Sequence, residues 1–406
     1  MQVVPKSSIV LLLAFTLCTL SACTKNIRVS ESGYGAFEAD IDVMNDNTVV
    51  IAWYDTRHQR GEIYLRLLDP QLNPVSPEYR LTESEADSYE ADVVALGDDI
   101  AVTWYEVDSA KHSSVKLGLW NRQGEQLWLK TLSDNSVNAR IPVLERTGDS
   151  LFVAWLETDL AAVSEISSAS TSSTRIVGSR IDRDGVDESA PFTIAAASET
   201  TWNLNLDIGS GSSADSIFLT YDAEFETAAS ELYLVQLTGS NIWVNRITDD
   251  DGYVSKYPDI AVRNDKAALS WFDNLFGNNE IYLAIRSIDD LLSPRLMDRF
   301  ELGATRVSNG EGDSIGAYLA WNGDSLCLAW SDNSSGQHEV YFQHFAIAGN
   351  SISRIQRLTT SVADSLIPSI EVLDSGFVMA WNEVHINAHG SDENLSRSEI
   401  AVSRVQ

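Results

Sequence analysis

The sequence is short of the residues that hold small extracellular domains together. Only three of its 406 residues are cysteines, at positions 18, 23 and 327, which are too few for a disulfide framework. Cys327 lies in the apolar run LCLAW, where a free cysteine usually behaves as a small buried hydrophobe. The stability of the fold must therefore come from packing and not from covalent bridges.

Basic residues are scarce too, with 28 Lys and Arg against 59 Asp and Glu, which gives a formal net charge of −31. A chain this acidic repels phosphate backbones, so we expect no nucleic-acid partner. The charge suits a solvated surface, a cationic partner or divalent cations. Helical periodicity is also missing, which excludes helical solenoids, while 44% hydrophobic residues are enough for a core.

The apolar segment SIVLLLAFTLCTL follows Lys6 and is too short to span a bilayer as a permanent helix. It leads into LSAC, ending at Cys23, which resembles the bacterial lipobox. This resemblance implies a signal peptide over residues 1–22, lipid attachment at Cys23 and a lipidated tether over residues 23–26. Thr24 replaces the Asp of an inner-membrane retention signal, so the resemblance favours an outer-membrane lipoprotein, periplasmic or surface-facing. An ordinary signal peptide that contains a cysteine is the alternative.

One apolar run recurs seven times, as in VVIAWYD, AALSWFD and LCLAWSD. Its alternation and polar exit are typical of a strand. A second strand such as EADVVAL precedes each run across a tight turn, and a third such as EIYLRLL follows it. The aromatic residue of the run falls at seven positions, 50 to 66 residues apart: Trp53, Trp104, Trp155, Tyr221, Trp271, Trp330 and Trp381. We expect these aromatic side chains to form the core between blades.

A weaker fourth strand carries an Arg-aliphatic-hydroxyl motif, and four strands per repeat are the signature of a β-propeller. Four repeats have this motif, beginning at Arg80, Arg246, Arg306 and Arg357. The seventh repeat stops after its third strand, and the missing motif stands first instead, as Arg28-Val29-Ser30. The sequence therefore predicts an all-β fold over residues 27–406. It is a seven-bladed β-propeller with four-stranded antiparallel blades, closed by pairing the N-terminal strand with the last blade.

The repeats resemble bacterial propellers of the sialidase-like, BNR-repeat kind. The matching motifs are Trp-x-Asp followed by Gly and by Glu-(Ile/Val)-Tyr, at Trp53, Trp271 and Trp330. The resemblance covers residues 27–406 and implies an architecture. That architecture hosts many functions, so it does not by itself imply a chemistry.

Propeller ligands generally bind where the inner strands begin, around the central channel on the face called the top. Several carboxylates, one Arg and other polar residues lie at these entrances. The candidates for binding a ligand or partner are Glu38, Asp40, Glu90, Asp92, Arg140, Asn203, Tyr257 and Asp259. A channel that is polar only because it is wet is the alternative interpretation. No catalytic residue, metal site or cofactor is predicted.

The segment ARIPV resembles the part of sialidases that holds one of three arginines clamping the substrate, here Arg140. A carboxylate clamp needs convergent guanidinium groups, and no other entrance carries Arg. The Ser-x-Asp-x-Gly-x-Thr-Trp box of that family is also absent. The sequence therefore favours a non-catalytic binding or assembly platform for an envelope protein or glycan. A carbohydrate-active enzyme, a glycoside hydrolase, is the alternative.

Two insertions interrupt the repeats on the top face, a Ser-rich one at 157–175 and a charged one at 382–399. Such insertions often make contacts in repeat proteins, and they can equally be tolerated surface length. His58, His112, His338 and His385 fall on loops of neighbouring blades, and we interpret them as exposed loop residues.

Overall fold

The computed structural model describes residues 26–31, 35–160, 174–199, 201, 203–210, 215–292, 302–385 and 397–406. The predicted signal peptide, Cys23 and most of both insertions lie outside these ranges. Within them the chain forms twenty-eight strands and one short helix, α1 (Ile288–Leu291). No helix in the described ranges is long and apolar enough to cross a membrane.

Seven four-stranded antiparallel sheets form the blades, each numbered from its inner strand outward. Blade 1 contains β2 (Ala36–Val43), β3 (Val49–Asp55), β4 (Glu62–Leu68) and β5 (Tyr79–Arg80). Blade 2 contains β6 (Asp87–Leu96), β7 (Asp99–Val107), β8 (Ser113–Asn121) and β9 (Gln126–Thr131). Blade 3 contains β10 (Val137–Thr147), β11 (Ser150–Asp159), β12 (Thr174–Ile181) and β13 (Phe192–Ala196).

The second half of the ring repeats this order. Blade 4 contains β14 (Leu204–Ser210), β15 (Asp215–Ala223), β16 (Glu231–Thr238) and β17 (Asn241–Arg246). Blade 5 contains β18 (Ser255–Arg263), β19 (Lys266–Asp273), β20 (Glu280–Ser287) and β21 (Thr305–Arg306). Blade 6 contains β22 (Ser314–Asn322), β23 (Ser325–Asp332), β24 (Glu339–Ala346) and β25 (Gln356–Arg357). Blade 7 contains β26 (Asp364–Leu373), β27 (Gly376–His385), β28 (Arg397–Val405) and, as its outer strand, β1 (Ile27–Arg28). The predicted fold is confirmed.

The ring closes where the two ends of the chain meet in blade 7. Ile27 and Arg28 pair with the antiparallel strand β28, and the Arg28 guanidinium lies 2.9 Å from a carboxylate oxygen of Glu399. The Ile400 backbone N–H donates to the Ser30 hydroxyl at 2.9 Å. The motif Arg28-Val29-Ser30 therefore makes the contacts that the same motif makes in other blades, which confirms the predicted closure.

The recurrent aromatic side chains fill the seams between blades. All seven are 0–1% exposed, and each packs with apolar residues of its own blade and of the preceding one. Burial of one such side chain stabilises the fold by about 2–3 kcal/mol. The seven aromatic residues therefore form the core between blades, as predicted.

Where the Arg-aliphatic-hydroxyl motif is present, its Arg and hydroxyl residues hold the fourth strand to the third. Arg306 donates to the Glu280 carboxylate at 2.7 Å, and the Ser308 hydroxyl donates to its other oxygen at 2.5 Å. The Ile281 backbone N–H donates to the same hydroxyl. Arg357, Thr359 and Glu339 repeat this arrangement in blade 6. Arg80 and Arg28 pair likewise with Glu62 and Glu399, so these four arginines are bound within their own blades and do not converge on the channel.

Candidate functional site

The inner strand carries a bulge at the channel entrance in six of the seven blades. Two residues there oppose the single recurrent Trp of the second strand, and the first of the two has a positive φ of 50–62°. The residues in this position are Glu38, Glu90, Ile141, Tyr257, Gly316 and Ile367. Only glycine adopts such a conformation without steric cost. Bulges of this kind often redirect a side chain next to a functional site.

Blade 3 differs from the sequence alignment by one residue. The bulge begins at Ile141, so Arg140 lies one position before the entrance ring, and Val143 takes the level that Asp40 and Asp92 occupy in blades 1 and 2. A signal for the correct register existed, since Pro is the second bulge residue in blades 3, 5 and 7. A bulge tolerates Pro because its position needs no ladder N–H.

Blade 4 has no bulge, and it is also the blade in which Tyr221 replaces Trp. Leu204 pairs directly with Tyr221. Asn203, the predicted entrance residue, donates from its side chain to the Pro258 carbonyl at 3.1 Å. Asn203 therefore ties blade 4 to blade 5.

Three of the predicted site carboxylates serve the seams between blades. An inner strand pairs on one side only, so its other edge leaves N–H groups that need acceptors. The Asp40, Asp92 and Asp259 side chains accept such N–H groups from the next blade's inner strand, donated by Val93, Leu144 and Leu319 at 3.0, 2.9 and 2.7 Å. These carboxylates are satisfied partners of the scaffold, which explains their place without a ligand.

Asp40 and Asp92 also influence each other. Burial, followed by the charge of Asp40, raises the pKa of Asp92 well above its usual range. Two carboxyl groups this close favour a state in which one of them keeps its proton. Burial likewise raises the pKa of Asp259 to about 8.

A deeper ring of carboxyl groups was missed by sequence analysis. It lies two residues further along the inner strands, at Asp42, Glu145, Asp207 and Glu371. Burial, followed by the charge of Asp207, raises the pKa of Glu145 to about 8. Burial, followed by the charge of Asp42, raises the pKa of Glu371. The period of two along each strand could have revealed this ring, because alternate residues face the same side.

Glu38 and Glu90 differ from every other carboxyl of the channel. Among the described residues, neither side chain makes a hydrogen bond, and no Lys or Arg nitrogen lies within 4 Å of either. Burial raises the pKa of Glu38 to about 7. Burial, followed by the charge of Glu38, raises the pKa of Glu90 to about 8, and the more distant Arg140 opposes this shift. Both carboxyl groups therefore change their charge near neutral pH.

Aromatic rings form a wall beside these two carboxyl groups. Phe37 stacks on Tyr54 with ring centroids 5.4 Å apart, Tyr54 meets Tyr89 edge-on at 5.2 Å, and Tyr89 lies 5.7 Å from Tyr105. Across the entrance, Tyr257 is 40% exposed and stacks on Phe272 at 5.6 Å. Burial and then the charges of the two glutamates raise the pKa of Tyr105. We call the group of Glu38, Glu90, Tyr54, Tyr105 and Tyr257 the entrance basin.

The basin limits the chemistry that the channel can support. Burial and nearby carboxylates raise the pKa of Tyr54 and Tyr105, so neither phenol is ionised near neutral pH. A tyrosine nucleophile, as sialidases use, would therefore need an adjacent carboxylate to act as its general base. Within the described ranges, no group of three or more His, Cys, Asp or Glu residues is placed to hold a metal ion. His112, one of the loop histidines, lies 2.8 Å from the Val137 carbonyl through its Nε2 and so contacts the next blade.

Comparison with known proteins agrees with the fold. No known family profile matches the sequence, and no curated protein matches it either. A solved protein of unknown function from Dyadobacter fermentans DSM 18053 is similar in structure, with a TM-score of 0.55, 7% identity and coverage of 95% of this chain and 100% of that chain. The endosialidase of phage phi92 has a TM-score of 0.52 and 10% identity, covering 95% of this chain and 69% of that chain. The Hadza microbial sialidase Hz136 has a TM-score of 0.49 and 10% identity, covering 85% of this chain and 74% of that chain. At these identities the similarity establishes the propeller fold alone.

Proposed function

We propose that this protein is a lipid-anchored binding platform of the bacterial envelope that engages a partner protein through the entrance basin, without catalysis. The observation that carries the proposal is the state of Glu38 and Glu90. Each combines a positive φ with a carboxyl group that has no hydrogen-bond partner among the described residues. Backbone strain costs about 1–3 kcal/mol, and a half-buried carboxyl group without a partner in the protein adds part of its desolvation cost. Glu38 and Glu90 carry both unfavourable features in two adjacent blades. A ligand that bound the two carboxyl groups would offset part of this free energy.

The proposed lipid anchor would leave the top face of the propeller free to meet a partner protein. If Cys23 carries the lipid, residues 24–26 span about 10 Å at most. The chain then enters β1, the outer strand of blade 7. The propeller is thus held by its rim, and its top face can turn sideways toward a neighbouring envelope component.

Glycoside hydrolysis is the second candidate. It is favoured by two neighbouring carboxyl groups with raised pKa values beside an aromatic wall, since such pairs cleave glycosidic bonds. One solved structure of similar fold is named as an endosialidase. Among the described residues no set of arginines converges on the entrance as a substrate clamp, which weighs against the sialidase mechanism.

Site-specific photo-crosslinking in cells tests the platform directly. A photoreactive residue replacing the exposed Tyr257 should trap one partner protein, and the same residue at Val75, exposed on the opposite face, should not. The double variant Glu38→Gln, Glu90→Gln should abolish the Tyr257 crosslink while the fold persists. Equal crosslinking by the double variant would rule out the basin. Release of sugar from envelope glycans by the wild type, lost in the double variant, would establish the hydrolase instead.

A further inference from the structure

The entrance basin has the composition of a receptor for an organic cation. Its two carboxyl groups occupy the same bulge position on the adjacent inner strands β2 and β6, which a hydrogen bond from Val93 to Asp40 joins two residues further in. Tyr54 and Tyr105 lie on the second strands of the same two blades and both contact Tyr89, while the 40% exposed Tyr257 lies close enough to feel the charges of both glutamates. Two charges act on Glu90: that of Glu38 raises its pKa and that of Arg140 lowers it. Among the described residues no Lys or Arg nitrogen forms an ion pair with either glutamate, so the space carries negative charge beside aromatic rings.

We propose that the entrance basin binds the ammonium or guanidinium group of one Lys or Arg side chain from the partner protein. This inference rests on the proposed function and names the chemistry of its ligand. The cation supplies the counter-charge that Glu38 and Glu90 lack, and it can lie against aromatic faces that attract cations. The alkyl stem of Lys or Arg packs on the same rings, since both side chains are apolar below the charged group.

The arrangement disfavours two other ligands. A divalent metal ion needs six or more oxygen ligands for calcium or an octahedron for magnesium, and no group of three candidate ligands is placed for a metal within the described ranges. An anionic sugar would meet two carboxyl groups without an arginine clamp. A neutral sugar remains, and it would use the protonated carboxyl groups as hydrogen-bond donors.

The cation and the neutral sugar have opposite pH dependence. A cation binds to ionised carboxylates and so displaces protons from groups whose pKa values lie at about 7 and about 8. Its affinity should rise by about 10- to 100-fold between pH 6 and pH 8.5, below the pKa of Lys. A neutral sugar that needs the protonated form should bind more weakly over the same range.

The test uses the full chain without its signal peptide and the peptide acetyl-Gly-Lys-Gly-amide, with its Arg and Nε-acetyl-Lys forms as matched probes. Calorimetric titration at pH 6, 7 and 8.5, in two buffers of different ionisation enthalpy, measures affinity and proton release together. We expect the Lys or Arg peptide to bind about 30-fold or more tightly than the acetylated form, with protons released on binding. Glu90→Gln should remove this preference, while Glu311→Gln, on an exposed loop, should keep it.

Each remaining outcome decides between the two proposals. Equal affinity for the Lys and acetyl-Lys peptides would show that the entrance basin does not recognise a cation. An affinity that falls as the pH rises would show the same. If a neutral oligosaccharide binds instead and Glu90→Gln abolishes its binding, the cation is wrong and the basin is still a binding site. If no probe binds and the Tyr257 crosslink persists in the double variant, both proposals are wrong.

Discussion

Replacing Glu90 with Gln should stabilise the unliganded protein in alkaline solution. Glu90 is held at a φ of 50° in a mostly apolar entrance, where its carboxyl group has no hydrogen-bond partner among the described residues. Gln has nearly the same shape and removes the charge. The change therefore isolates the cost of ionising this one group in the folded state.

The sign and size of the effect follow from the raised pKa. Folding lifts the pKa of Glu90 from 4.5 to about 8, so the folded state holds a proton that the unfolded state has lost. Its contribution to stability is fully present below about pH 4.5 and is lost as the pH rises through about 8. Without screening, this difference corresponds to roughly 5 kcal/mol. Because the side chain borders the open entrance, we expect a gain of about 1–2 kcal/mol for Glu90→Gln at pH 8.5.

Thermal unfolding at pH 5.5 and pH 8.5 measures this gain. For a chain of this size, 1 kcal/mol shifts the Tm by about 1–2 °C, so the variant should melt about 1–4 °C higher at pH 8.5 and by less at pH 5.5. The exposed Glu311→Gln is the matched control for the loss of one negative charge. A Tm that falls at pH 8.5, or rises equally at both pH values, would refute the reasoning. A variant that is more stable yet does not bind is the behaviour expected of a functional site.

Three further predictions concern the anchor, the closure and the seams. Cys23→Ser should leave the protein soluble or unprocessed, as seen by membrane fractionation and labelled palmitate; unchanged fractionation and labelling would contradict the lipid anchor. Deleting residues 27–31 should lower the Tm far more than deleting five residues of an exposed loop, and a shift below about 2 °C would contradict a stabilising seam. Trp271→Ala should cost about 3–5 kcal/mol in chemical denaturation because the side chain is 0% exposed between blades 4 and 5, and a cost below 1 kcal/mol would show that the seam collapses around the gap.

The architecture could be predicted from the sequence because each of its determinants is local and repeated. The apolar alternation around Trp53 predicts a strand, and the turn residues predict the hairpins; both patterns recur along the chain. The displaced Arg28-Val29-Ser30 motif predicts where the ring closes. The one-residue error at Arg140 arose because a polar Arg fits a wet channel entrance better by residue type than the apolar Ile141, which in fact holds the bulge position. The bulge was visible only through its Pro, at Pro142 and its equivalents.

The candidate site was predicted in part, for a different physical reason. Asp40 and Glu38 are both acidic entrance residues in the sequence, and nothing local distinguishes them. The structure separates them, because Asp40 accepts an N–H from the next blade whereas no described residue donates to Glu38. Whether a carboxyl group accepts a hydrogen bond depends on contacts between blades about 50 residues apart in the chain. These contacts form only when the blades assemble into the ring, so the local sequence does not predict them.

The closing strand also sets the order in which the ring can be completed. β1 is the first strand of the described chain to be synthesised, yet it pairs with β28, so the Ser30 hydroxyl meets the Ile400 amide across 370 residues. Contacts this distant in sequence form late, because the loop must close before they are made. Six blades can therefore fold as local hairpins while β1 remains unpaired. The ring can close only after β28 has been synthesised. A chain truncated before β28 leaves an open sheet edge that could pair with other chains.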